Sequence, residues 1–478
     1  MSEDLCLMTA ATLRRRIAHR DVSPVEVTRA VLQRAEQLQP ELNCFITLCA
    51  EEAMQEAREA ERAVMAGEPL GLLHGIPYTC KDIVNTRGVR TTFGSRLFEN
   101  NIPNEDAQAV ARMRRHGAIL IGKTTTSEFG AKCLTDAPLF GRTRNACSAA
   151  HTSGGSSGGA AVAVAAGIAP LAIATDGGGS TRIPAACNGV VGLKQSLGTV
   201  PHSQAEDAFG NLTYVTPTTR TVADTALMLQ AMAGGDPCDP WSVDAPVPDY
   251  VERVRSAVDL RGKKILFGLA LGDRPVAGEV AEAFEAALGH LRALGAELSQ
   301  LQDTAEFEVE PLWRTINHTV WLTRFGAMAS ERPDDLSPSL LRQLELATQV
   351  SGIDYQRAMF ARTRLFRHVQ SLLRDNDFIV TPTLSRTALP IDQDLFGEID
   401  IDGRSYPELR ANWFPWLMPF NLTGHPAVTL PCGFGRHGLP IGIQLVGRFR
   451  AEADLLPVAA MLESSLALPS LRPRLEFA

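Results

Sequence analysis

The chain is 478 residues long, 45% hydrophobic and 21% charged, with a net charge of −8. Such a length supports a large buried core, and the interleaved charges offer no basic surface for nucleic acid. No uninterrupted apolar run approaches the ~20 residues of a membrane span, and Arg14-Arg15-Arg16 interrupts Met1–Leu48, which has no signal-peptide core. An odd number of cysteines, nine, without such a signal points to a reducing cytoplasm.

In chain order, Ser23-Pro24-Val25-Glu26 is a capping box with proline at the first helical position, opening a helix predicted to run to about Gln37. Glu51–Ala66 reads as a second helix with a charged face. Next, His74-Gly75-Ile76-Pro77-Tyr78-Thr79-Cys80-Lys81-Asp82 sets a lysine among apolar and small residues. A lysine is nearly always a solvated surface charge. If this one is buried beside hydroxyls, desolvation lowers its pKa and frees a neutral amine to act as a base. Ala107–His116 has the pattern of an amphipathic helix and Ala118–Ile121 that of a buried strand. Gly117–Thr124 also satisfies the P-loop pattern letter for letter. A phosphate loop, however, follows a strand and is itself irregular. Here the residues between Gly117 and Gly122 are apolar and form the strand, with Lys123 at its end, so nucleotide binding is set aside.

The most informative stretch follows. Gly154-Gly155-Ser156-Ser157-Gly158-Gly159 and Thr175-Asp176-Gly177-Gly178-Gly179-Ser180 flank a small-residue helix, Ala160–Gly167, and a buried-strand run, Pro170–Thr175. Gly/Ser-rich segments are usually flexible linkers, but loops wedged between core elements are built structures. Glycine lets backbone approach backbone or ligand closely and leaves main-chain N–H groups free to point into a cavity. A serine beside such donors can attack a carbonyl and hold the resulting oxyanion. Gly154–Gly158 also fits the nucleophile-elbow pattern of α/β-hydrolases, which requires a buried strand just before it. Cys147–Ser153 is a poor strand, and that reading leaves Lys81 and the second glycine cluster unexplained.

Further short strands are predicted at Lys264–Leu269, Phe378–Thr381, Ala427–Leu430 and Ile443–Val446, with helices at Val280–Leu294 and Ala451–Ser465. The alternation argues for an α/β layer architecture. Asp236–Pro248, rich in proline and aspartate, reads as a surface loop. The histidines and cysteines form no CxxC or HExxH, and Cys133, Cys147 and His151 match no zinc spacing, so no metal is expected. Packing is the default for Cys80 and Cys187 near the two motifs, and loop hydrogen bonding for His74 and His151.

Lys81, Ser156 and Ser180 in these contexts, with Arg182-Ile183-Pro184 following, resemble the amidase signature family of serine hydrolases. Ser23–Glu26, Arg220-Thr221-Val222-Ala223-Asp224, Asn421-Leu422-Thr423-Gly424-His425-Pro426-Ala427 and Gly438–Leu445 extend the similarity over nearly the whole chain. The stretch from about Asp303 to Trp416 is the least recognisable. The resemblance implies one α/β domain over residues 1–478, with a large twisted mixed β-sheet flanked by helices on both sides and a catalytic core at about 70–225. It also implies a Ser–Ser–Lys triad: Ser180 the nucleophile, Ser156 the bridging serine after a cis peptide bond from Gly155, and Lys81 the base. The N–H groups of Gly177, Gly178, Gly179 and Ser180 would form the oxyanion hole, and no cofactor is implied. Two departures from the usual family pattern, Gln195 after Lys194 and Thr181 after the nucleophile, leave the triad intact but sit on the segment carrying Ser180. Homodimers are frequent in the family.

Four of the five tryptophans, Trp313, Trp321, Trp413 and Trp416, fall in the least family-like stretch, joined by Phe325 and Phe414. Core packing is the default for any one of them. Together they predict an apolar substrate pocket, and Thr175, at the second glycine motif, is also expected to touch substrate. The expected activity is hydrolysis of small carboxylic amides carrying hydrophobic or aryl groups, with esters or carbamates of the same shape as side substrates. The alternative is the family's glutaminase role within tRNA-dependent amidotransferases, which needs partner chains. That role also needs an Asp or Arg to grip an α-amino acid, which the aromatic stretch does not advertise.

Overall fold

The computed structural model describes residues 4–244, 247–256 and 258–468, so part of the expected Asp236–Pro248 loop lies outside the described residues. Among these residues the centre is an eleven-stranded mixed sheet. Its strands lie side by side in the order Phe45–Leu48, Ile119–Thr124, Pro77–Lys81, Leu171–Asp176, Tyr214–Thr219, Val191–Lys194, Ala427–Phe434, Pro440–Val446, Phe378–Pro382, Lys264–Phe267 and Glu297–Gln300. Pro77–Lys81 runs parallel to both its neighbours, and so does Lys264–Phe267. The other neighbours pair antiparallel.

The α/β architecture expected from the alternation is present, with shifted boundaries. Lys123 lies inside strand Ile119–Thr124, not at its end. The helix opened by Ser23 continues to Leu42, with Pro40 in its last turn. Strand Leu171–Asp176 shows how the sheet is covered on two faces. Leu171 and Ile173 join one apolar core, and Ala172 and Ala174 the other, as the two-residue alternation of a strand dictates. The alanine face is packed by helices Pro24–Leu42, Ala50–Ala66 and Gly158–Ala165. Every residue of Gly158–Ala165 is buried and none is larger than valine, so this helix sits close to the sheet. Helices Val222–Met232, Gly278–Ala293 and Glu452–Leu466 contribute to the opposite core.

The stretch least like the family folds largely into helices Glu310–Glu331, Pro338–Ala347 and Gly352–Asp375. No helix among the described residues is long and apolar enough to cross a membrane.

Candidate active site

Lys81 is the last residue of strand Pro77–Lys81 and is fully buried. Alternation sends Tyr78 and Cys80 into the core on one face of the sheet and Lys81 to the other. There its Nζ lies 2.8 Å from Ser156 Oγ, 2.8 Å from Ser157 Oγ and 2.7 Å from Thr175 Oγ1. Burial lowers its pKa well below the ordinary lysine value, and the opposing pull of the Asp176 carboxylate does not restore it. The positive end of helix Gly158–Ala165, which begins just after Ser157, disfavours an ammonium ion further.

Ser156 follows a cis peptide bond from Gly155. Ser157 donates its hydroxyl proton to the Thr175 carbonyl oxygen at 3.1 Å and its N–H to the Ser180 carbonyl oxygen at 3.2 Å. The helix start is thereby tied both to the strand end and to the loop beyond it. Ser156, Thr175, Gly177, Gly178 and Ser180 line one cavity of about 190 Å³.

That loop is organised by Asp176, the last residue of its strand. Its carboxylate accepts from the Gly179 N–H at 2.7 Å and from Asn421 Nδ2 at 2.9 Å. It also forms a two-point ion pair with Arg182, at 2.9 Å from Nε and 3.0 Å from Nη2. Burial pushes this carboxyl up, but the Arg182 guanidinium and the hydrogen bonds outweigh it and hold it below the usual carboxylate range. Arg182 donates further to Leu417 O at 3.1 Å, Gln444 Oε1 at 2.6 Å and Asn421 Oδ1 at 2.6 Å. The two motifs near the C-terminus thus meet the loop that carries Ser180 through Asn421 and Gln444. One expectation needs correction. Gly179, at φ +117°, turns its N–H to Asp176 and away from an oxyanion. The N–H groups of Gly177, Gly178 and Ser180 take no partner among the described residues.

The tryptophans divide. Helix Glu310–Glu331 presents Trp313, Ile316, Asn317, Val320, Trp321 and Arg324 to the cavity, the spacing of one helical face. Trp321 meets Trp313 edge-on at 5.9 Å. Trp413 and Trp416, in contrast, are core residues away from the cavity. Trp413 donates its indole N–H to Arg386 O at 3.3 Å, and Trp416 donates to Leu269 O at 3.1 Å while packing on Phe307. Thr175 does line the cavity, but its hydroxyl is engaged by Lys81. Arg410, unnoticed in the sequence, also lines it, so the aromatic stretch does carry an arginine into the site. Helical periodicity is the signal for the Trp313 face; nothing local marks Arg410.

The remaining candidates are structural. Cys80 and Cys187 pack in the core. Cys133 borders the cavity, its thiol pushed up to about 11 by burial. His74 Nε2 meets Ala60 O at 2.9 Å, and His151 Nδ1 meets Ser148 Oγ at 2.8 Å. Thr181 and Gln195 both fasten the segment that carries Ser180 to strand Tyr214–Thr219, through Thr216 Oγ1 at 2.5 Å and Val215 O at 2.8 Å.

The Amidase family model matches residues 26–456. An acylamidase of Rhodococcus erythropolis is 35% identical over 463 residues, 97% of this chain and 96% of that protein. The A subunit of the glutamyl-tRNA(Gln) amidotransferase of Geobacter sp. (strain M21) is 32% identical over 480 residues, 95% of this chain and 96% of that protein. Among solved structures, a bacterial aryl acylamidase of the amidase signature family superposes with a TM-score of 0.88 at 29% identity, over 96% of each chain. Similarity of this extent in both sequence and fold makes the chain a member of the amidase signature family, an amidohydrolase acting on amides.

Proposed function

We propose that the protein hydrolyses the C–N bond of carboxylic amides with aryl or other apolar groups, through an acyl-enzyme on Ser180 with Lys81 and Ser156 as the proton relay. The observation that carries this reading is the buried Lys81 amine in its cradle of three hydroxyls. A neutral amine has two N–H donors and one lone pair. Ser157 has its own proton on the Thr175 carbonyl and so accepts from the amine, and Thr175 Oγ1 accepts the second N–H. The lone pair is left for the proton of Ser156.

As Lys81 takes that proton, Ser156 takes the proton of Ser180, and Ser180 Oγ bonds to the amide carbon. The charge on the former carbonyl oxygen faces the N–H groups of Gly177, Gly178 and Ser180. Collapse of the tetrahedral intermediate breaks the C–N bond while Ser156 protonates the departing nitrogen and is reprotonated by Lys81. Water then gives a proton to the relay and attacks the acyl carbon; collapse breaks the ester C–O bond, Ser156 returns the proton to Ser180 Oγ, and the acid is released. The apolar wall of Trp313, Ile316, Val320 and Trp321 supports an aryl or aliphatic substrate.

A glutaminase working within a tRNA-dependent amidotransferase is the second reading, favoured by the amidotransferase relatives and by an arginine in the cavity wall. Hydrolysis of a chromogenic anilide by the purified chain, beside Ser180→Ala and Lys81→Ala, tests the first. Loss in both variants supports the relay, and activity surviving Lys81→Ala places the base elsewhere. A wild type inactive on anilides but active on glutamine supports the second reading. Best turnover on small polar amides would sink the apolar pocket.

A further inference from the structure

Arg410, in helix Leu409–Trp413, takes no part in the relay. It is 8% exposed and lines the cavity with Ser156, Ser180 and Trp313. Its side chain makes one hydrogen bond, from Nη2 to the neutral amide oxygen of Gln343, and its guanidinium lies 5.5 Å from the centre of the Trp313 ring. Glu310, which attracts it, is paired instead with Arg314 at 3.6 Å.

The buried Arg112 and Arg182 and the part-buried Arg362 each have three or more hydrogen bonds, against one for Arg410. Arg182 has the Asp176 carboxylate and three further acceptors. Arg112 donates to the carbonyl oxygens of Met232, Gly234 and Gly235, and Arg362 to those of Leu422, Gly210 and Asn211. A guanidinium has five N–H donors, so four of those on Arg410 take no partner among the described residues. The other charged groups at the cavity are engaged: Arg324 with Glu206 at 2.9 Å, Lys132 with Asp136 at 2.6 Å, and Asp207 with the Gly210 N–H at 2.8 Å. A desolvated charge is costly unless hydrogen bonds or an opposite charge compensate it. Arg410 is paired with nothing charged, and it faces the space that substrate enters.

We propose that Arg410 is a specificity-determining residue that binds a carboxylate on the substrate, so that the preferred amides combine an apolar or aryl body with a carboxylate remote from the scissile bond. The planar fork of the guanidinium matches a carboxylate with two parallel hydrogen bonds, and the Trp313 face holds it in place. The same indole bonds Gly177 O at 2.7 Å, so an anion on Arg410 is registered against the loop that carries the nucleophile. This assignment rests on the amide-hydrolysis reading above and names the substrate class for it.

The test uses two substrate series. In the first, mono-anilides of the dicarboxylic acids from malonic to adipic are each compared with the acyl anilide bearing isopropyl in place of the carboxylate. In the second, N-acyl-aminobenzoates are compared with the matching N-acyl-isopropylanilines, which moves the carboxylate to the amine half. For wild type, at one chain length in one series, kcat/KM favours the carboxylate member by about 30-fold or more, the scale of a desolvated, hydrogen-bonded charge pair. In Arg410→Gln that preference collapses to about one, and Arg410→Lys retains part of it. A wild type that favours the neutral member in both series overturns the proposal, and so does a preference that survives in Arg410→Gln. Calorimetric binding of the same pairs to the Ser180→Ala protein separates the two readings. A carboxylate preference in binding with no hydrolysis by wild type upholds Arg410 and sinks the amidase substrate assignment. Hydrolysis without any carboxylate preference does the reverse.

Discussion

Trp313 donates its indole N–H to the carbonyl oxygen of Gly177 at 2.7 Å, and its ring closes over Gly178 so tightly that a Cβ there would lie 2.7 Å from it. One aromatic side chain thus forms a wall of the cavity and also fixes the glycine loop that lines it. Trp313→Phe deletes the hydrogen bond, a loss of ~1 kcal/mol, and kcat on an anilide falls about fivefold. Gly178→Ala forces the loop or the indole aside. A misplacement of ~1 Å costs about 10²-fold, so steady-state kinetics should show a drop of that order in a protein whose circular dichroism is unchanged.

The proposed relay predicts an acid limb in the pH profile. Only neutral Lys81 accepts a proton from Ser156, so kcat/KM rises with pH as Lys81 deprotonates. Because burial holds its pKa well below the ordinary 10.5, that limb lies below the usual lysine range. Thr175→Val removes an acceptor that stabilises the ammonium more than the amine, and the limb moves to lower pH. An unmoved limb would show that it belongs to another group. The sign for stability is separate. The unfolded chain binds a proton at Lys81 that the folded chain does not, so this residue's contribution to stability rises with pH between its folded pKa and 10.5.

Asp176→Asn leaves the Arg182 guanidinium buried without its counter-charge. Breaking such a pair costs ~3–5 kcal/mol. Urea unfolding should therefore show a markedly lower midpoint for Asp176→Asn, whereas Ser180→Ala, a one-atom deletion at the cavity wall, should unfold near wild type. Equal midpoints for the two variants would mean that Asp176 serves the reaction alone and not the fold.

Ser23 caps its helix by accepting from Val25 N at 2.9 Å, while Glu26 accepts from Ser23 N at 2.9 Å. Ser23→Ala costs ~1 kcal/mol, visible as a lower melting temperature, with kcat per folded molecule unchanged because the cap lies outside the catalytic cavity.

How much of this is legible in the sequence varies with the kind of signal. The glycine motifs and Lys81 stand out because close packing and buried chemistry restrict residue type locally. Strand Tyr214–Thr219 does not, because Pro217 in its middle, paired with Ile173, argues against a central strand. The sequence pattern ends strand Ala427–Phe434 at Leu430, before Pro431, but the strand passes a register shift there and continues. Tryptophan enrichment points to a pocket without saying which rings face it. That depends on the phase of helix Glu310–Glu331, which puts Trp313 and Trp321 on the cavity, and on tertiary packing, which leaves Trp413 and Trp416 in the core. The Gly179 N–H departs from its expected role because spacing cannot show which donor a neighbouring carboxylate captures.

The Asp176–Arg182 pair reaches Asn421 across 239 residues of chain and Gln444 across 262. Contacts at that separation carry a large loop-closure cost. During synthesis Lys81, Ser156 and Ser180 emerge long before these partners do, and Arg182 meanwhile lacks its three neutral acceptors, Leu417 O, Asn421 Oδ1 and Gln444 Oε1. A chain broken before Asn421 contains Lys81, Ser156 and Ser180, the residues of the proposed relay, without the Asn421 and Gln444 contacts to the loop. Under the proposed mechanism, the shape of the Ser180 loop is therefore a property of the assembled fold, set by Asn421 and Gln444 as much as by the loop's own glycines.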